Sequence, residues 1–250
     1  MTDYTIAAVD EALALLQLVA QRPGLGVTDL AQRSGNTKAR AYRMLYTLEQ
    51  RNFVRRVGPD ALYYLDVKAL YVGTAAQEQV ELVRLARPHI LALATACGEN
   101  VQLRVRDGLD SVSVERWKSN HPVRFTSEAG SRRPLFAGAA SKILLAYAPV
   151  EIQQAVLNGE IARYTTNTIT QRSRLVQELD RICERGHAVS TGETTLGAVA
   201  IGAPVRGKDQ AVMAALSMSG PQERMEPRLE EMISLVKASA LAISQEFISL

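Results

Sequence analysis

Apolar residues recur with helical spacing most clearly between residues 34 and 56. Read as a helix at about 100° per residue, residues 36–50 bring Ala41, Leu45 and Leu48 onto one apolar stripe. The opposite face carries polar or small residues, namely Asn36, Ala39, Arg40, Arg43 and Thr47. Two guanidinium groups beside an amide and a hydroxyl suit the DNA major groove, which is about 12 Å wide and admits one helix. The alternative is an ordinary solvated amphipathic helix, and the flanking residues decide between the two.

An earlier apolar helix is predicted over residues 6–21. Its apolar positions recur at helical spacing and give one expected buried face: Val9, Leu13, Leu16 and Ala20. Pro23, Gly24 and Gly26 follow at once, and residues of these types end helices.

A short second helix is predicted over residues 29–33, with Thr28 as its cap. Gly35 is expected to take the left-handed conformation that ends it. Asn36 or Thr37 is then expected to cap the third helix. Two short helices joined by a tight glycine turn, the second with a basic face, predict a helix-turn-helix.

The residues after the third helix predict a β-hairpin. Asn52 is suited to the left-handed region that ends the helix. Residues 53–57 and 62–65 read as strands on either side of a Gly-Pro-Asp turn. A hairpin directly after a recognition helix is a wing, from which Arg55, Arg56 and Lys68 can reach backbone phosphates.

Together these segments resemble the N-terminal domain of IclR-type bacterial transcriptional regulators. The resemblance is carried by AVDEALALLQLVA, VTDLAQRSG, AYRMLYTLEQRNFVRR and YYL, in that order along the chain. The family pattern at the recognition helix is Lys-Ser-Thr-x-x-Arg-Leu-Leu, followed by a glycine before the wing. Three residues match it: Lys38, Arg43 and Leu45. Ala39 and Arg40 stand where Ser and Thr are usual, and Asn52 replaces the glycine, so the base step that is read is expected to differ.

Charge is concentrated in the same region. Seven basic residues face a single acid, Glu49, a net charge of +6. The basic residues are Arg33, Lys38, Arg40, Arg43, Arg51, Arg55 and Arg56. Because the whole chain carries only +3, the other residues sum to −3, and the positive charge is local.

Composition indicates a globular protein with a substantial core, since 47% of its 250 residues are apolar and 22% are charged. Cys97 and Cys183 offer no disulfide framework, which favours a reducing compartment. Asp10 and Glu11 interrupt the first apolar run, which lacks the basic start of a signal peptide, and no run approaches 18 apolar residues. We expect a cytoplasmic protein that does not enter a membrane.

A long helical stretch over residues 66–96 follows the hairpin, and Pro88 is expected to break it into two helices. No glycine- or serine-rich linker occurs, so the connection between domains is expected to be stiff. We predict a winged helix-turn-helix domain over residues 1–67, a linker helix over residues 68–79, and an effector-binding and oligomerisation domain over residues 80–250.

The second half of the chain alternates strands and helices. Strands are predicted over residues 100–106, 111–117, 123–126, 187–193, 198–205 and 211–218. Helices are predicted over residues 139–148, 151–157, 172–185 and 226–248. Gly186 is expected to stop the third of these helices, and Pro227 to begin the last. The pattern predicts an α+β fold: an antiparallel sheet with segregated helices, similar to a GAF- or profilin-like sensor domain.

Two segments of this half suggest a ligand site. Residues 130–142 form a coil that enters a helix at Gly138, and the free N–H groups of a helix start attract a carboxylate. Ser217 and Ser219 lie two apart on a strand, so both hydroxyls face the same side. Two hydroxyls facing a helix N-terminus can bind a carboxylate without a buried cation.

Both segments resemble the effector-binding domain of the same family, in which loop amides and two serines hold a small organic acid. The resemblance implies six effector-binding residues: Ala139 and Ala140 through their backbone N–H groups, Ser190, Ala200, Ser217 and Ser219. Relatives can carry Asp and Cys where this chain has Ser190 and Ala200. The less polar pair favours a larger, more apolar acid, such as an aromatic one.

Structural explanations compete with each of these readings. Small residues at a helix start often serve tight packing, and serines near a strand end often bond to backbone groups. Trp117 is expected in the core or the pocket wall. His89, His121 and His187 lack metal-ligand spacing, so neither a metal nor another cofactor is expected.

Three classes of function remain open. The leading one is a ligand-controlled DNA-binding regulator, a homodimer or homotetramer whose partners are a double-stranded operator and a small organic acid. The second is an enzyme that acts on small carboxylates, although the chain lacks G-x-S-x-G, H-E-x-x-H, G-x-G-x-x-G and P-loop motifs. Adjacent Ser141 and Lys142 diverge by about 100° on a helix and make a poor nucleophile–base pair. The third is a plain interaction module.

For the regulator, bases are expected to be read by Arg40, Arg43 and Asn36, and phosphates to be held by Lys38, Thr28, Arg55 and Arg56. The full predicted DNA-binding set comprises Thr28, Asn36, Thr37, Lys38, Ala39, Arg40, Arg43, Thr47, Arg55 and Arg56.

Overall fold

The computed structural model of the chain describes residues 4–125 and 130–249. It divides into two compact units, the first ending at Val80 and the second beginning at Glu81. The elements of the first unit are α1 (Ala7–Gln21), α2 (Val27–Arg33), α3 (Lys38–Gln50), β1 (Val54–Val57), β2 (Leu62–Leu65) and α4 (Val67–Gln79). Three helices followed by a two-stranded antiparallel hairpin confirm the predicted winged helix-turn-helix.

The first helix lies where predicted, but the predicted buried face is wrong. The core residues of α1 are Leu15 and Val19. Of the four predicted residues only Leu16 packs against the core, and the exposed ones are Val9, Leu13 and Ala20. Most positions of this helix are apolar, so its spacing is compatible with more than one stripe. Packing against α3 and β2 selects the face that is buried.

The turn before α3 is formed largely as expected. Helix α2 begins at Val27 with Gly26 as its cap residue, so Thr28 lies in the first turn and is not the cap. Gly35 has φ +68°, which confirms its left-handed conformation. The Thr37 hydroxyl accepts a hydrogen bond from the Arg40 amide at 3.3 Å, so Thr37 is the cap of α3.

The wing is anchored to the loop that follows α1. Asn52 has φ +58°, as predicted, and leads into β1. Tyr63 of β2 is buried, and its carbonyl accepts from the Gly24 amide at 2.9 Å. The Tyr63 amide donates to the Leu25 carbonyl at 3.0 Å, so the hairpin is held at a fixed position beside the helices.

The helical stretch after the wing breaks at Val80, not at Pro88 as predicted. Val80 has an extended backbone, with φ −78° and ψ 102°, and ends α4. Helix α5 (Glu81–Cys97) then runs through Pro88 without interruption. A proline inside a helix removes one backbone hydrogen bond and costs roughly 3 kcal/mol. Buried residues on both sides of it, including Ala86 and Ile90, hold α5 together against that cost.

The second unit is a six-stranded antiparallel sheet with helices. After α5 its elements are β3 (Asn100–Asp107), β4 (Asp110–Trp117), β5 (Arg132–Pro134), α6 (Ala139–Ala146), α7 (Val150–Asn158), α8 (Arg172–Arg185), β6 (Ala188–Thr191), β7 (Ala198–Arg206), β8 (Val212–Pro221), α9 (Gln222–Met225) and α10 (Leu229–Ile248). The strand order is β5-β4-β3-β8-β7-β6. The predicted α+β fold is therefore confirmed.

Both faces of this sheet are covered. Helices α5 and α10 pack with residues such as Leu103, Ile201 and Met218 in one apolar cluster. Helices α6, α7 and α8 form a second cluster, which meets the sheet at residues such as Ala188 and Ala215. Side chains on the sheet face opposite the α5–α10 cluster are therefore covered by α6, α7 and α8 and do not face solvent.

Three details of this unit differ from the expectations. Residues 123–125 do not form the predicted strand, and Thr126 lies outside the described residues. The short strand β5 was not predicted, and the final helix begins at Leu229 after a 3-10 turn that contains Pro227. Gly186, with φ +67°, ends α8 as predicted. Within the described ranges, no helix is long and apolar enough to span a membrane.

Candidate functional site

The exposed face of α3 carries side chains that the helical periodicity of the sequence predicted for it. Ala41 and Leu45 are fully buried, which leaves Ala39, Arg43 and Thr47 exposed on the same helix. The Thr47 hydroxyl donates to the Arg43 carbonyl at 2.9 Å and so is used within the helix. Among the residues that the structure describes, no carboxylate pairs with the Arg43 guanidinium. Arg43 therefore retains its full set of donors for a ligand.

Two of the predicted DNA-contacting arginines are paired with acids. Arg40 holds Glu11 of α1 through two contacts, Nη2 to Oε1 at 2.8 Å and Nε to Oε2 at 2.6 Å. Arg56 on β1 donates from Nε to Oε1 of Glu49 at 2.9 Å. Exposed pairs of this kind are worth roughly 0.2–1 kcal/mol. Either arginine can exchange its carboxylate for a DNA group at small cost.

The remaining predicted DNA-binding residues differ in whether their side chains are available to contact DNA. Asn36 is half-buried, and its amide donates to the Ser34 carbonyl at 3.3 Å and hydroxyl at 3.2 Å. Its amide is therefore part of the turn as the structure stands. Thr28, Lys38 and Arg55 are exposed.

In the second unit, a cavity that opens to the surface lies between the N-terminus of α6 and the sheet. All six predicted effector-binding residues line it: Ala139, Ala140, Ser190, Ala200, Ser217 and Ser219. The strand register explains part of this convergence, because Ser190 pairs with Ala200 and Ala200 with Ser219. Three neighbouring strands thus present these positions in one row across the sheet.

The Ser217 hydroxyl lines this cavity without a hydrogen bond to the described part of the chain. Its side chain is 1% exposed, and its Oγ has no hydrogen-bond partner in the described part of the chain. Residues Ala139 and Ala140 open α6, where the first amides of a helix have no partner within the helix. A buried hydroxyl without a partner is costly, roughly 1–3 kcal/mol, so Ser217 is a candidate hydrogen-bond donor to a ligand in this cavity.

Two arginines also line the cavity, and the sequence reasoning missed both. Arg104 of β3 is 1% exposed. Its Nε donates to Ser111 Oγ at 3.0 Å, and its Nη2 donates to the carbonyls of Ser111 and Ser131, both at 2.8 Å. Burial, together with the charge of Arg133, lowers the pKa of the Arg104 guanidinium to about 10.

Arg133 of β5 is half-buried, and its Nη1 donates to the Thr194 hydroxyl at 3.0 Å. Burial lowers the pKa of this guanidinium as well. Neither Arg133 nor Arg104 has a carboxylate partner among residues 4–125 and 130–249.

The alternation of β3 was the signal that could have identified Arg104. Residues Val101 and Leu103 face the α5–α10 side, so Gln102 and Arg104 point the other way. The sequence suggests a solvent-facing polar side for such a strand. Because helices cover both faces of this sheet, the polar side of a central strand is buried instead.

A buried ion pair joins α6 to Glu193, which lines the cavity. Lys142 Nζ lies 2.5 Å from Oε1 of Glu193 and 3.1 Å from Oε1 of Glu178. The other oxygen of Glu193 accepts from the Gly138 amide at 3.3 Å. Gly138, with φ +89°, precedes the first residue of α6. The pair therefore fixes the position of the amides that open this helix.

The adjacent Ser141 and Lys142 point to different partners. The Ser141 hydroxyl is 2.8 Å from the hydroxyl of Ser111, and Lys142 is held by acids. This divergence is the one expected of neighbours on a helix. In the described part of the chain, no three or more His, Cys, Asp or Glu side chains are arranged to hold a metal ion.

Comparisons with known proteins cover both units. A family model of the IclR helix-turn-helix domain matches residues 8–58, and a model of the bacterial transcriptional regulator IclR C-terminal domain matches residues 74–245. The chain is similar to the HTH-type transcriptional regulator KipR of Bacillus subtilis (strain 168), with 32% identity over 240 residues, 95% of this chain and 96% of that protein.

Two solved structures resemble the chain along its length. One is an IclR transcriptional regulator from Alicyclobacillus acidocaldarius, 25% identical, with a TM-score of 0.86 over 97% of this chain and 99% of that one. The other is an IclR homolog from Microbacterium hydrocarbonoxydans complexed with 4-hydroxybenzoate, 23% identical, with a TM-score of 0.77 over 97% and 98% of the two chains.

Proposed function

This chain belongs to the IclR family of bacterial transcriptional regulators, and on that premise we propose that the exposed face of α3 reads an operator and that a small organic acid in the α6 cavity controls its binding. The observation that carries the effector site is Ser217, a buried hydroxyl without a partner in the described part of the chain, beside the first amides of α6. As a regulator of transcription, the protein is proposed to act in the cytoplasm.

In the DNA complex, Arg43 contacts base edges from the centre of the α3 face, and Arg40 joins it after leaving Glu11. Asn36 reads a base only if its amide leaves the Ser34 turn. The phosphate contacts come from Thr28, Lys38, Arg55 and Arg56. Thr37, Ala39 and Thr47 complete the surface that faces the groove.

Two copies are proposed to bind one pseudo-palindromic operator, with their recognition helices one turn of DNA apart, roughly 34 Å. Exposed apolar residues of the first unit support self-association. Val9 and Leu13 on α1, and Leu70 and Tyr71 on α4, are all exposed. Exposed apolar side chains of this size offer a surface that a second copy can bury. A homodimer, or a homotetramer built from two of them, is therefore proposed.

In the cavity, one carboxylate of the effector accepts hydrogen bonds from Ser217, Ser219 and the amides of Ala139 and Ala140. Ser190 and Ala200 form the wall beyond it. An aromatic acid is a reasonable ligand class, since 4-hydroxybenzoate is bound by a protein of the same fold. To move the regulator between mostly bound and mostly free states, the acid must favour one state by several kcal/mol, about 5.5 for a complete switch.

A regulator is favoured over an enzyme by the surroundings of Ser141. Its hydroxyl faces another hydroxyl, that of Ser111, and no base activates it in the described part of the chain. Lys142, the adjacent candidate base, is held by Glu193 and Glu178. Nucleophilic catalysis needs a base within hydrogen-bond reach of the nucleophile. The pocket is therefore proposed to bind its acid without converting it.

Thermal unfolding of the full chain with a panel of aliphatic and aromatic acids tests the effector site. An acid at 100 times its Kd adds about 2.7 kcal/mol of stability. Ser217→Ala should abolish this gain. Ser113→Ala is the matched control, because Ser113 is also buried with an unpartnered hydroxyl among the described residues but does not line the cavity. Equal gains in both variants would refute the site.

Fluorescence polarisation with the DNA upstream of the chain's own gene tests the other half of the proposal. Arg43→Ala should weaken specific binding by roughly 1–3 kcal/mol, whereas the exposed Lys208→Ala in the second unit should leave it unchanged. An acid that stabilises the wild-type chain should change the DNA affinity. Identical affinities for the two variants would refute the assignment of α3.

A further inference from the structure

The charge balance of the α6 cavity is incomplete in the described part of the chain. Three charged residues line it: Arg104, Arg133 and Glu193. Glu193 is already matched, because Lys142 lies 2.5 Å from its carboxylate. Two positive charges thus face the cavity with no counter-charge among the described residues. Charges buried in proteins are paired or coordinate a charged ligand.

The bonds that Arg104 makes are all to uncharged groups. Its guanidinium donates to hydroxyl, carbonyl and amide oxygens, including Ser111 Oγ at 3.0 Å and Gln102 Oε1 at 3.3 Å. The five bonds use all five N–H groups of the guanidinium and hold it in a fixed position, but they do not neutralise its charge. Since Ser111 also bonds to Ser141 of α6, Arg104 is tied to the helix whose first amides face the cavity.

Arg133 stands at the junction of two cavities. A second cavity is lined by Tyr164 and shares four residues with the first. The shared residues are Arg133, Ala137, Thr194 and Thr195. Because Ser217 and Arg133 line the same first cavity, one ligand can contact both.

We propose that the effector is a small acid with two negative charges, specifically a dicarboxylate. One carboxylate binds at Ser217 and the α6 amides, where the positive charge of Arg104 stabilises it, and the second binds at Arg133. This inference rests on the proposed function, because it assigns the ligand class of the same effector site. It goes beyond the single carboxylate that the serines and helix amides require, since two cations with no carboxylate partner among the described residues favour a ligand with two anionic groups.

Arg132 provides a matched control beside Arg133. It lines the second cavity, but its guanidinium contacts Asp107 at 2.5 Å and Asp110 at 3.2 Å. Its charge is therefore already balanced. Removal of Arg132 should not change the preference for a second anionic group, whereas removal of Arg133 should abolish that preference.

The test uses acids that differ by a single carboxylate, with Kd values of the full chain measured by calorimetry. The pairs are hexanoate with adipate and 4-methylbenzoate with terephthalate. We expect the dianion of at least one pair to bind tenfold or more tightly than its monoanion. Arg133→Met should reduce that ratio to near one by weakening the dianion alone, and Arg104→Met should weaken both members. Arg132→Met should leave the ratio unchanged.

The two proposals fail in different ways. If both members of every pair bind equally, or the monoanion binds more tightly, and Ser217→Ala abolishes binding, the effector site stands and the dianion inference is overturned. If Ser217→Ala leaves binding intact, or no acid of either class binds at millimolar concentration, the effector site and the inference are both overturned. If the dianion preference survives Arg133→Met, the assignment of the second anion to Arg133 is wrong.

Discussion

Removal of the Lys142 ammonium should destabilise the second unit strongly. The Lys142 side chain is 1% exposed and lies between Glu193, which is 6% exposed, and Glu178, which is 20% exposed. In Lys142→Met the volume is nearly conserved, but the buried Glu193 carboxylate loses its ion-pair partner. Breaking a buried pair in this way costs roughly 3–5 kcal/mol. Because whole domains are stable by roughly 5–15 kcal/mol, the variant should remain folded but only marginally so.

Thermal denaturation followed by tryptophan fluorescence measures this effect in the second unit. Trp117 is the single tryptophan of the chain and lies on β4 of the second unit. The melting temperature of that unit should fall by about 6–20 °C, at roughly 2–4 °C per kcal/mol for a unit of this size. Since Glu193 also holds the Gly138 amide at the start of α6, the stabilisation by acids should weaken as well.

A double variant tests whether the unpaired charge of Glu193 causes the loss of stability. Lys142→Met with Glu193→Gln removes the orphaned charge and should recover at least half of the lost stability. Glu178→Gln alone should cost less than about 1 kcal/mol, because its carboxylate is partly hydrated. The reasoning is refuted if Lys142→Met costs less than about 1 kcal/mol, or if the double variant is as unstable as the single one.

Two further predictions concern DNA binding. Glu11→Gln frees Arg40 from its carboxylate, so operator affinity should rise about two- to fivefold, the equivalent of one exposed ion pair. Polarisation titrations measure it, and weaker binding by a folded variant contradicts this role for Glu11. Arg55→Gln should reduce the slope of log K against log salt by about one unit, because a phosphate contact is lost. Lys208→Gln changes the same charge on the second unit and should leave the slope unchanged, so equal slopes for the two variants argue against a phosphate contact by the wing.

The polar interior around α6 relates the stability of the unit to its proposed function. Lys142 and Glu193 satisfy each other and fix the start of the helix, whereas Arg104 and Ser217 lie in the same region without a charged or bonded partner, respectively, among the described residues. The first pair fixes the start of α6, and the second pair belongs to the proposed effector site. Buried groups that are left unmatched are costly in the free protein, and a bound ligand recovers that cost.

Most local elements of this protein could be predicted from its sequence. Helical spacing, a capping threonine and left-handed residues at positions 35 and 52 defined α3 and the wing, because these signals act within a few residues of the chain. Helix α8 begins and ends where predicted, at Arg172 and Arg185. The two-residue period of β8 likewise placed Ser217 and Ser219 on one side and Met218 on the other.

The tertiary structure decided which faces are buried and which charges meet. The apolar run of α1 fits several stripes, and only packing against α3 and β2 buries Leu15 instead of Leu13. Arg104 reads as a solvent-facing strand residue until helices are known to cover both sides of the sheet. Lys142 and Glu193 are 51 positions apart, and no local spacing relates them. Burial and charge pairing depend on contacts between distant segments, whereas periodicity reports only which residues share a face.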